Sequence, residues 1–325
     1  MRRSLSIFMG ALAALSLAFG GAAHAAKAAG GADFEKLAHR VTDAGAPAVY
    51  FTKDVSAAGL VKIYEALGHS PRGKVGIKLT FESPDGPYLS PALLKGLRDK
   101  VNGTFIDSNG LTPPRDTTAG HLKLAAGHGF TAVGPVDILD AEGELDMPVT
   151  GGRHLKYHRT GSHFAGYDSV VSVVRFKSHH IRDYGGTLKN LTICLASISG
   201  KCNIHSAGRT DSGYSPAEMD EFLESMADAA KAALDYKKDR WAFINVLAAI
   251  EPDDSCAGTK PFGDIGILAS LDPVAADQAA VDITFGAAPS AAVREEWERT
   301  HNTRVLGYAE AAGVGKRNYR LVSAD

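Results

Sequence analysis

Hydrophobic and polar positions alternate with two different periods along the chain from residue 48 onward. Runs such as 49–52 and 170–176 are rich in Val and aromatic residues, which is typical of strands, while apolar residues recur at helical spacing over 60–67 and 219–234. Strand-like and helix-like segments follow one another without an internal sequence repeat. This order predicts one α/β domain over residues 48–325, a three-layer fold with a mostly parallel sheet and helices on both faces.

Several of the predicted helices carry start signals. Ser90-Pro91 places a capping hydroxyl before a proline at the first helical position, and Ser215–Glu218 forms a capping box that starts the next helix at Pro216. Asp272 precedes Pro273 in the same way. Two interpretations of this carboxylate stay open, because capping alone explains it and a place in a functional site also does.

Polar side chains follow four of the predicted strands, at the point where each strand ends. In an open, mostly parallel sheet the carboxyl ends of the strands collect at one edge, and ligands bind there. We therefore expect these side chains to converge in one crevice. They are Asp107, Lys177, His179, Glu251, Asp253 and Asp272.

The segment from Tyr167 to Ser206 holds the densest group of polar residues. An apolar strand breaks into charged residues there, and Gly185-Gly186 then leads into a helix with Lys189 and Asn190 in its first turns. Paired glycines before a helix either form a flexible turn or bring backbone N–H groups up to an anion. Because Lys is electrostatically unfavourable near a helix N-terminus, we expect Lys189 to have a partner or a ligand. Lys78 lies inside another predicted strand, a position more typical of a sheet edge than of a site.

His179, Cys202 and His205 are the best candidates for metal ligands. Cys202 and His205 have half of a familiar zinc spacing, but no second half lies nearby. The chain has three cysteines, whereas a self-contained iron–sulfur cluster normally needs four thiolates. The sequence therefore favours a divalent metal ion over such a cluster, and the odd cysteine count leaves at least one thiol outside any disulfide within the chain.

A second group of histidines lies in the basic segment 153–163. The four-residue spacing of His154 and His158 suits one face of a helix, but no apolar stripe supports a helix there. We expect a solvated surface loop here rather than a metal site.

The first 25 residues predict a secretory signal peptide. Arg2 and Arg3 precede an apolar run over 5–19, and Ala23–Ala25 is an A-x-A cleavage site. The run is short for a membrane span, so we expect no anchor and a mature chain that is periplasmic or secreted. The general secretory route fits better than twin-arginine export, because no Ser or Thr precedes the arginine pair. We expect residues 26–47 to be flexible.

Charge and motifs exclude several classes of function. Removal of the leader leaves 33 basic against 37 acidic side chains, a net charge of −4. That balance attracts neither nucleic acid nor an anionic membrane. The chain has no P-loop, no glycine-rich dinucleotide fingerprint and no G-x-S-x-G nucleophile elbow. A small anionic molecule is the partner that the lysines favour.

Motifs spread over nearly the whole mature chain resemble the family catalogued as domain of unknown function 362. The segments that carry the resemblance are Lys74–Lys78 (KVGIK), Phe105–Asn109 (FIDSN), His121–Phe130 (HLKLAAGHGF), Phe176–His180 (FKSHH), Gly185–Asn190 (GGTLKN), Gly200–Gly208 (GKCNIHSAG) and Asp264–Asp282 (DIGILASLDPVAADQAAVD). The resemblance implies a shared polar set but assigns no reaction, because the family has none firmly attached to it. That set comprises Lys78, Asp107, Lys177, His179, Lys189, Asn190, His205, Asp264, Asp272 and Asp277.

The chain departs from the family at the positions where thiolates are expected. Many members carry a ferredoxin-like insert with two cluster-binding Cys runs just after the equivalent of His205, where this chain has only Ala207–Tyr214. Asp254–Cys256 stands in place of a common Cys-x-Cys pair, and Leu195 stands where many members have a Cys. These departures argue against an inherited cluster.

The first of three functional hypotheses is a metal protein, and in particular a metal-assisted enzyme that acts on a small anionic substrate. Its metal ligands are His179, Cys202 and His205. Its catalytic positions are Asp107, Lys177, Lys189 and Asp272. Its substrate-binding positions are Lys78, Gly185, Gly186 and Asn190.

The other two hypotheses need no metal-assisted chemistry. In one, a non-catalytic periplasmic module holds a carboxylate or phosphate ligand with the same lysines and the Gly185-Gly186 turn. In the other, a redox accessory protein derived from iron–sulfur relatives uses Cys202 and Cys256 as thiols. Stoichiometric metal favours the first hypothesis, anion binding without metal the second, and a titratable dithiol the third.

Overall fold

The computed structural model describes residues 34–179, 183–248, 263–285 and 303–325. Within these ranges the strands are β1 (Ala48–Thr52), β2 (Val75–Lys78), β3 (Thr104–Asp107), β4 (Val136–Ile138), β5 (Glu144–Pro148), β6 (Tyr157–Gly161), β7 (Ser169–Arg175), β8 (Lys177–His179), β9 (Asp183–Gly185), β10 (Trp241–Leu247), β11 (Gly266–Ser270) and β12 (Arg320–Ser323). The α-helices are α1 (Ala57–Ala66), α2 (Pro91–Val101), α3 (Thr118–Gly127), α4 (Phe130–Val133), α5 (Thr187–Leu191), α6 (Ile198–His205), α7 (Met219–Lys237), α8 (Pro273–Phe285) and α9 (Arg304–Ala311).

Eight of the described strands form one sheet in the order β12-β1-β11-β10-β7-β2-β3-β4. Strand β11 runs antiparallel to both of its neighbours, β1 and β10. The other five pairs in the sheet are parallel. The predicted α/β fold with a mostly parallel sheet is therefore confirmed.

Helices cover both faces of this sheet, and each layer has its own hydrophobic core. On one face α1 and α2 bury Leu60 and Leu94, and on the other face α7 buries Leu223. Side chains alternate along the central strands, so that Phe243 packs into the second core and Ile244 into the first. Burial of each such side chain stabilises the fold by roughly 1.5–3 kcal/mol.

Short polar side chains start the helices of the first layer. Ser56, Ser90 and Thr117 each accept a backbone N–H from the first turn of α1, α2 and α3, respectively. An N-cap of this kind typically contributes about 1 kcal/mol. The start that Ser90-Pro91 predicts for α2 is confirmed.

Helix α7 begins at Met219, later than the capping box predicts. The amide of Ala217 donates to the carbonyl of His205 over 2.8 Å, at the end of α6. The last carbonyls of a helix have no partner within it, so this bond satisfies the end of α6. Residues 215–218 therefore close α6 and do not add a first turn to α7.

Two expectations about strands are wrong. Lys78 belongs to β2, which lies between β3 and β7 in the interior of the sheet, so it is not on an edge strand. Strand β11 runs antiparallel to β10. The residues that follow β11 therefore lie where the amino ends of β2, β3 and β7 lie, and not at the carboxyl ends of those strands. Asp272 therefore lies far from the crevice in which it was expected.

The basic segment 153–163 is also different from the expected surface loop. Its residues 157–161 form β6, which pairs antiparallel with β5 and contacts α6 and α7. His158 on this strand is fully buried. Buried and more exposed side chains alternate at the start of β6, as expected for a strand with one covered face. The absence of an apolar helix stripe therefore did not indicate a loop.

The described part of the predicted flexible segment, residues 34–47, is fixed to the domain. Leu37 lies in the second core, and the ring nitrogen Nδ1 of His39 lies 3.1 Å from a carboxylate oxygen of Asp282 in α8. A burial and a long-range hydrogen bond of this kind order the chain.

Several predictions lie outside the described residues. They concern the signal peptide over 1–25, Glu251, Asp253, Cys256 and the side chain of His179. No helix within the described ranges has the length and apolar character needed to cross a membrane.

Candidate functional site

The carboxyl ends of β2, β3 and β7 open into a cleft of about 290 Å³, which α5 and α6 close from the other side. Within the ranges given above, seven charged side chains line this cleft: Arg115, Arg175, Lys177, Lys189 and Lys201 against the carboxylates Glu82 and Asp107. Four further residues of the predicted site line it as well, namely Gly185, Gly186, Asn190 and His205. The expected convergence of polar residues at one sheet edge is therefore observed for most of the predicted set that the structure describes.

The floor of the cleft is a buried ion pair. The ammonium of Lys78 donates to Asp107 Oδ1 at 3.0 Å, to Asn190 Oδ1 at 2.8 Å and to the carbonyl of Leu79 at 2.8 Å. Lys78 is fully buried and Asp107 is 1% exposed. All three ammonium protons are used, so Lys78 holds Asp107 and Asn190 in place and is not available to a ligand.

The carboxylate of Asp107 is held ionised by these contacts. Oδ1 also accepts the amide of Ser108, and Oδ2 accepts the amide of Phe81 at 3.1 Å. Burial by itself would raise the pKa of this carboxyl, but the charge of Lys78, with His121 and Arg115, holds the pKa well below its usual range. The Nε2 atom of His121 lies 3.3 Å from Oδ2, although too far off line for a good hydrogen bond. An ionised carboxylate that accepts several bonds is a fixed anchor and a poor base.

Asn190 joins the two sides of the cleft. Its amide nitrogen donates to the carbonyl of Lys78 at 3.0 Å and to the hydroxyl of Ser172 at 2.9 Å, while its oxygen accepts the Lys78 ammonium. These bonds tie α5 to β2 and β7. Asn190 is therefore a structural link of the cleft wall, whichever ligand the cleft takes.

The Gly185-Gly186 turn brings backbone N–H groups up to an anion, and that anion is a side chain of the same protein. Asp277 of α8 accepts the amides of Thr187 and Leu188 at 2.7 and 2.8 Å. A Cβ on Gly186 would lie 2.7 Å from the Asp277 carboxylate, so only glycine allows this approach. The start of α5 is therefore already occupied and does not bind the ligand.

Lys177 and Lys189 both line the cleft, in different circumstances. Both carboxylate oxygens of Glu82 lie 3.0 Å from the Lys177 ammonium, and the two side chains are partly buried. Lys189 lies in a helix of only five residues, so it also belongs to the last turn of α5. The helix dipole favours a lysine in the last turn, so the position of Lys189 in α5 does not by itself indicate a ligand.

Lys201 is a member of the cleft that the sequence did not single out. It is 7% exposed, and its ammonium donates to the carbonyl of Ala196. Burial lowers the pKa of Lys201 to about 8, although Asp140 and Asp107 oppose the shift. Helix α6 has no apolar stripe to reveal it, which is why pattern reasoning missed both the helix and this lysine.

Arg115 is the second residue that pattern reasoning missed. It lies in the loop after β3, where its carbonyl accepts the amide of Gly110 over 2.6 Å. Among the described residues, no hydrogen-bond or carboxylate partner is found for its guanidinium. The signal available in the sequence was its place shortly after Asp107, in a loop at the carboxyl end of a strand.

The metal ligands proposed from the sequence do not form a metal centre within the part of the chain that the structure describes. No group of three His, Cys, Asp or Glu side chains there is arranged to hold an ion. Cys202 is buried outside the cleft lining, and burial, with Asp211, raises the pKa of its thiol. His205 lines the cleft and donates from Nδ1 to the carbonyl of Lys201 at 2.7 Å.

Of the two cysteines that the structure describes, Cys194 lines the cleft. Cys194 and Cys202 are both free thiols. The dithiol that the redox hypothesis needs pairs Cys202 with Cys256, which lies outside the described residues.

Asp272 caps α8 at the opposite edge of the sheet. Its oxygens accept the amides of Ala275 and Lys316, each at 2.9 Å. Burial raises the pKa of this carboxyl, and the backbone hydrogen bonds oppose that shift. Of the two interpretations that the sequence left open, the structure shows the capping role.

The chain belongs to the family described as domain of unknown function (DUF362), whose profile matches residues 75–282. A search of curated proteins finds no match.

Two solved structures are similar in fold. The lactate racemase apoprotein from Thermoanaerobacterium thermosaccharolyticum is 15% identical with a TM-score of 0.43, over 74% of this chain and 56% of that chain. A structural-genomics protein from Thermotoga maritima is 11% identical with a TM-score of 0.44, over 80% of this chain and 59% of that chain. The chain thus spans less than two thirds of the length of either structure, and similarity at this level carries no argument about the site.

Proposed function

We propose that this member of the DUF362 family binds a small anionic molecule, a carboxylate or a phosphate ester, in the cleft at the carboxyl ends of β2, β3 and β7. The predicted signal peptide supports an exported protein, so the ligand would be met outside the cytoplasm. This is the non-catalytic alternative among the sequence hypotheses, and it is also the binding step that an enzyme of the first hypothesis would require.

The charge distribution in the cleft carries this proposal. Both carboxylates among the described lining residues are already neutralised, Asp107 by Lys78 and Glu82 by Lys177, each at 3.0 Å. The guanidinium of Arg115 and the ammonium of Lys201 have no carboxylate partner among the described residues. Two cations that the described part of the chain leaves unneutralised in a partly enclosed cleft favour an anion, because the local dielectric constant is lower than in water.

The donor geometry favours an oxyanion over a halide. A guanidinium presents parallel N–H donors that match the two oxygens of a carboxylate or phosphate, and such charge-assisted pairs are stronger than neutral hydrogen bonds. The cleft volume of about 290 Å³ lies at the lower end of the range of small-molecule pockets.

Calorimetric titration with a panel of small carboxylates and phosphate esters tests the proposal. We expect at least one of them to bind, and Arg115→Ala to weaken its affinity by about 10- to 100-fold, which corresponds to the roughly 1.5–3 kcal/mol of a hydrogen bond to a charged group. The matched control is Arg72→Ala, because Arg72 is 67% exposed and lies away from the cleft lining.

Two results would contradict the proposal. One is the absence of binding across the whole panel with folded protein. The other is an equal loss of affinity in the Arg72 and Arg115 variants, which would place the binding outside the cleft.

The metal hypothesis makes a different prediction for the same titration. Anion binding through Arg115 and Lys201 needs no metal, so extensive dialysis against a chelator should leave the affinity unchanged. A metal centre that includes His179 or His205 would instead lose ligand binding together with the metal, and elemental analysis of the purified protein would report about one ion per chain before dialysis.

A further inference from the structure

The loop that follows β3 carries hydrogen-bond donors that no group in the described part of the chain accepts. Four residues of this loop line the cleft, namely Gly110, Leu111, Thr112 and Arg115. Among the described residues, no acceptor is found for the backbone amides of Leu111 and Thr112, for the Thr112 hydroxyl or for the Arg115 guanidinium. Guanidinium groups, hydroxyls and backbone amides are the donors with which proteins commonly hold phosphate oxygens.

The Arg115 side chain folds back over Gly110, towards the start of the loop. Its Nε and Cζ atoms lie 3.6 Å from the position that a Cβ on Gly110 would take, and its own Cβ lies 3.2 Å from that position. The charge of the guanidinium also acts on the carboxylate of Asp107 at the floor of the cleft. Since Leu111 follows Gly110 directly, the guanidinium lies close to the first of the two unused amides.

Hydrogen bonds within the loop fix its shape before any ligand binds. The amide of Gly110 donates to the carbonyl of Arg115 at 2.6 Å, and the amide of Arg115 donates to the carbonyl of Thr112 at 3.1 Å. Pro113 and Pro114 restrict the backbone further, because each ring fixes φ. Donors that are already in place bind a ligand with a smaller loss of conformational entropy.

The donors and the charge of the cleft favour a phosphate group over a carboxylate. A phosphate monoester has a charge of about −1.5 to −2 at pH 7 and three strong acceptor oxygens, whereas a carboxylate has a single charge and two oxygens. Arg115 and Lys201 supply two positive charges that no carboxylate of the described residues pairs with. Two amides and a hydroxyl add to the guanidinium, so each phosphate oxygen can accept at least one hydrogen bond.

We propose that the loop over residues 110–116 holds the phosphate group of a small phosphate monoester through the Arg115 guanidinium, the amides of Leu111 and Thr112 and the Thr112 hydroxyl. This inference rests on the proposed function and narrows its ligand from small anions in general to phosphate monoesters. Gly110 is a positioning residue of this loop, because a side chain there would displace the guanidinium.

A pair of ligands that differ in the anionic group tests the class. Glycerol 3-phosphate and glycerate have the same carbon skeleton. In calorimetry at pH 7, we expect the purified full chain to bind glycerol 3-phosphate more tightly than glycerate by about 10-fold or more, because the phosphate has the larger charge and one more acceptor oxygen. Tighter or equal binding of glycerate overturns the phosphate assignment, and so does the absence of binding by both glycerol 3-phosphate and inorganic phosphate.

Amide chemical shifts test the place at which the phosphate binds. Titration of the isotope-labelled full chain with inorganic phosphate should shift the amide resonances of Leu111 and Thr112. The amides of Asp235 and Tyr236 in α7 should not shift, because these residues lie outside the cleft lining. Shifts that leave Leu111 and Thr112 unchanged overturn the assignment of the loop.

Two threonine variants test the hydroxyl. Thr112→Val removes it at nearly constant volume and should weaken the binding of inorganic phosphate by about 3- to 10-fold, the effect of one hydrogen bond. Thr150→Val is the matched control, because Thr150 is also exposed and lies outside the cleft lining. Equal affinities in the two variants would remove the hydroxyl from the phosphate site.

Gly110→Ala tests the positioning role. The added methyl group should displace the guanidinium and weaken phosphate binding by about 3- to 10-fold, as the loss of one hydrogen bond does. In the Arg115→Ala background the same change should have no further effect, because no guanidinium remains to be displaced. Additive losses in the double variant would show that Gly110 does not act through Arg115.

The outcomes distinguish this inference from the proposed function. If a small anion binds and Arg115→Ala weakens it, but the amides of Leu111 and Thr112 do not shift, the phosphate loop is overturned and anion binding in the cleft stands. If no member of the carboxylate and phosphate panel binds, the proposed function fails as well. The amide shifts of the unmodified chain decide the place of binding even if a variant fails to fold.

Discussion

Lys78 shows that the role of a residue follows from its distant neighbours more than from its own type. A lysine within a strand was expected at a sheet edge, where its ammonium could reach water. Its two side-chain partners, Asp107 and Asn190, lie 29 and 112 positions away in the sequence. No local pattern reports contacts at that separation, and only the sheet order brings the three side chains together.

Replacing Lys78 by Met tests the cost of breaking this ion pair. The variant leaves Asp107 ionised and buried without its counter-charge, so we expect the free energy of unfolding to fall by roughly 3–5 kcal/mol. Urea denaturation at neutral pH measures it. The control is Lys95→Met, which removes an exposed pair with Asp99 and should cost about 1 kcal/mol or less. Equal losses in the two variants would show that the Lys78 pair contributes no more than a surface one.

At the scale of elements, two carboxylates near the start of α8 differ in their position: one lies beside the cleft and the other lies away from it. Asp277 and Asp272 both bind backbone amides at helix starts, but Asp277 orders the start of α5 beside the cleft and Asp272 caps α8 at the other edge of the sheet. The antiparallel direction of β11 produces this separation. The separation of Asp272 from Asp277 cannot be predicted from the two aspartates and their distance from Pro273 in the sequence.

The pair Asp277→Ala and Asp272→Ala tests this assignment. Removing Asp277 leaves the buried amides of Thr187 and Leu188 without an acceptor, which should destabilise the protein by roughly 1–3 kcal/mol and also weaken anion binding, because α5 forms one wall of the cleft. Asp272→Ala should cost about 1 kcal/mol as a lost cap and leave anion binding unchanged. Denaturation and calorimetry on both variants supply the four values. A loss of anion affinity in the Asp272 variant would contradict the arrangement.

The elements that the sequence predicts well are those with local signals. The cap at Ser90 and the valine-rich strand β7 both follow from neighbouring residues. Helix α6 was missed because its buried residues, among them Lys201 and Asn203, are not mainly apolar. The alternation of side chains does not indicate strand direction either. The position of β11 along the chain was therefore predicted correctly, but the end of the sheet at which β11 finishes was not.

For the whole molecule, the same limits explain which part of the candidate site was found. Residues at or just after the end of a parallel strand, such as Asp107 and Lys177, were placed correctly because one rule of sheet topology covers them. Arg115 and Lys201 come from a loop and a helix that join this edge only in the folded chain. The two cations of the cleft that have no carboxylate partner within the described ranges were therefore the ones that the sequence could not single out.

The response of the whole fold to acid should depend on His158. Burial lowers the pKa of His158 to about 3, and a contact with the backbone of Leu191, too poorly aligned to be a good hydrogen bond, only partly opposes this. The unfolded chain binds a proton at this histidine below about pH 6.5, whereas the folded chain stays neutral there until pH is near 3. His158 therefore does not lower the free energy of unfolding above pH 6.5. As the pH falls from 6.5 towards 3, His158 lowers that free energy by up to roughly 1.4 kcal/mol per pH unit.

Other groups act on the same profile, and one substitution isolates His158. The pKa of His163 is raised by its hydrogen bond from the ring to Asp137, so that partly exposed histidine stabilises the fold as the pH falls and opposes the loss. The low pKa of Asp107 keeps that carboxylate ionised until the solution is strongly acidic. In His158→Gln, urea denaturation from pH 7 to pH 4 should therefore show a shallower loss of unfolding free energy than in the unmodified chain. Parallel profiles for the two proteins would mean that His158 is protonated in the folded state as readily as in the unfolded one.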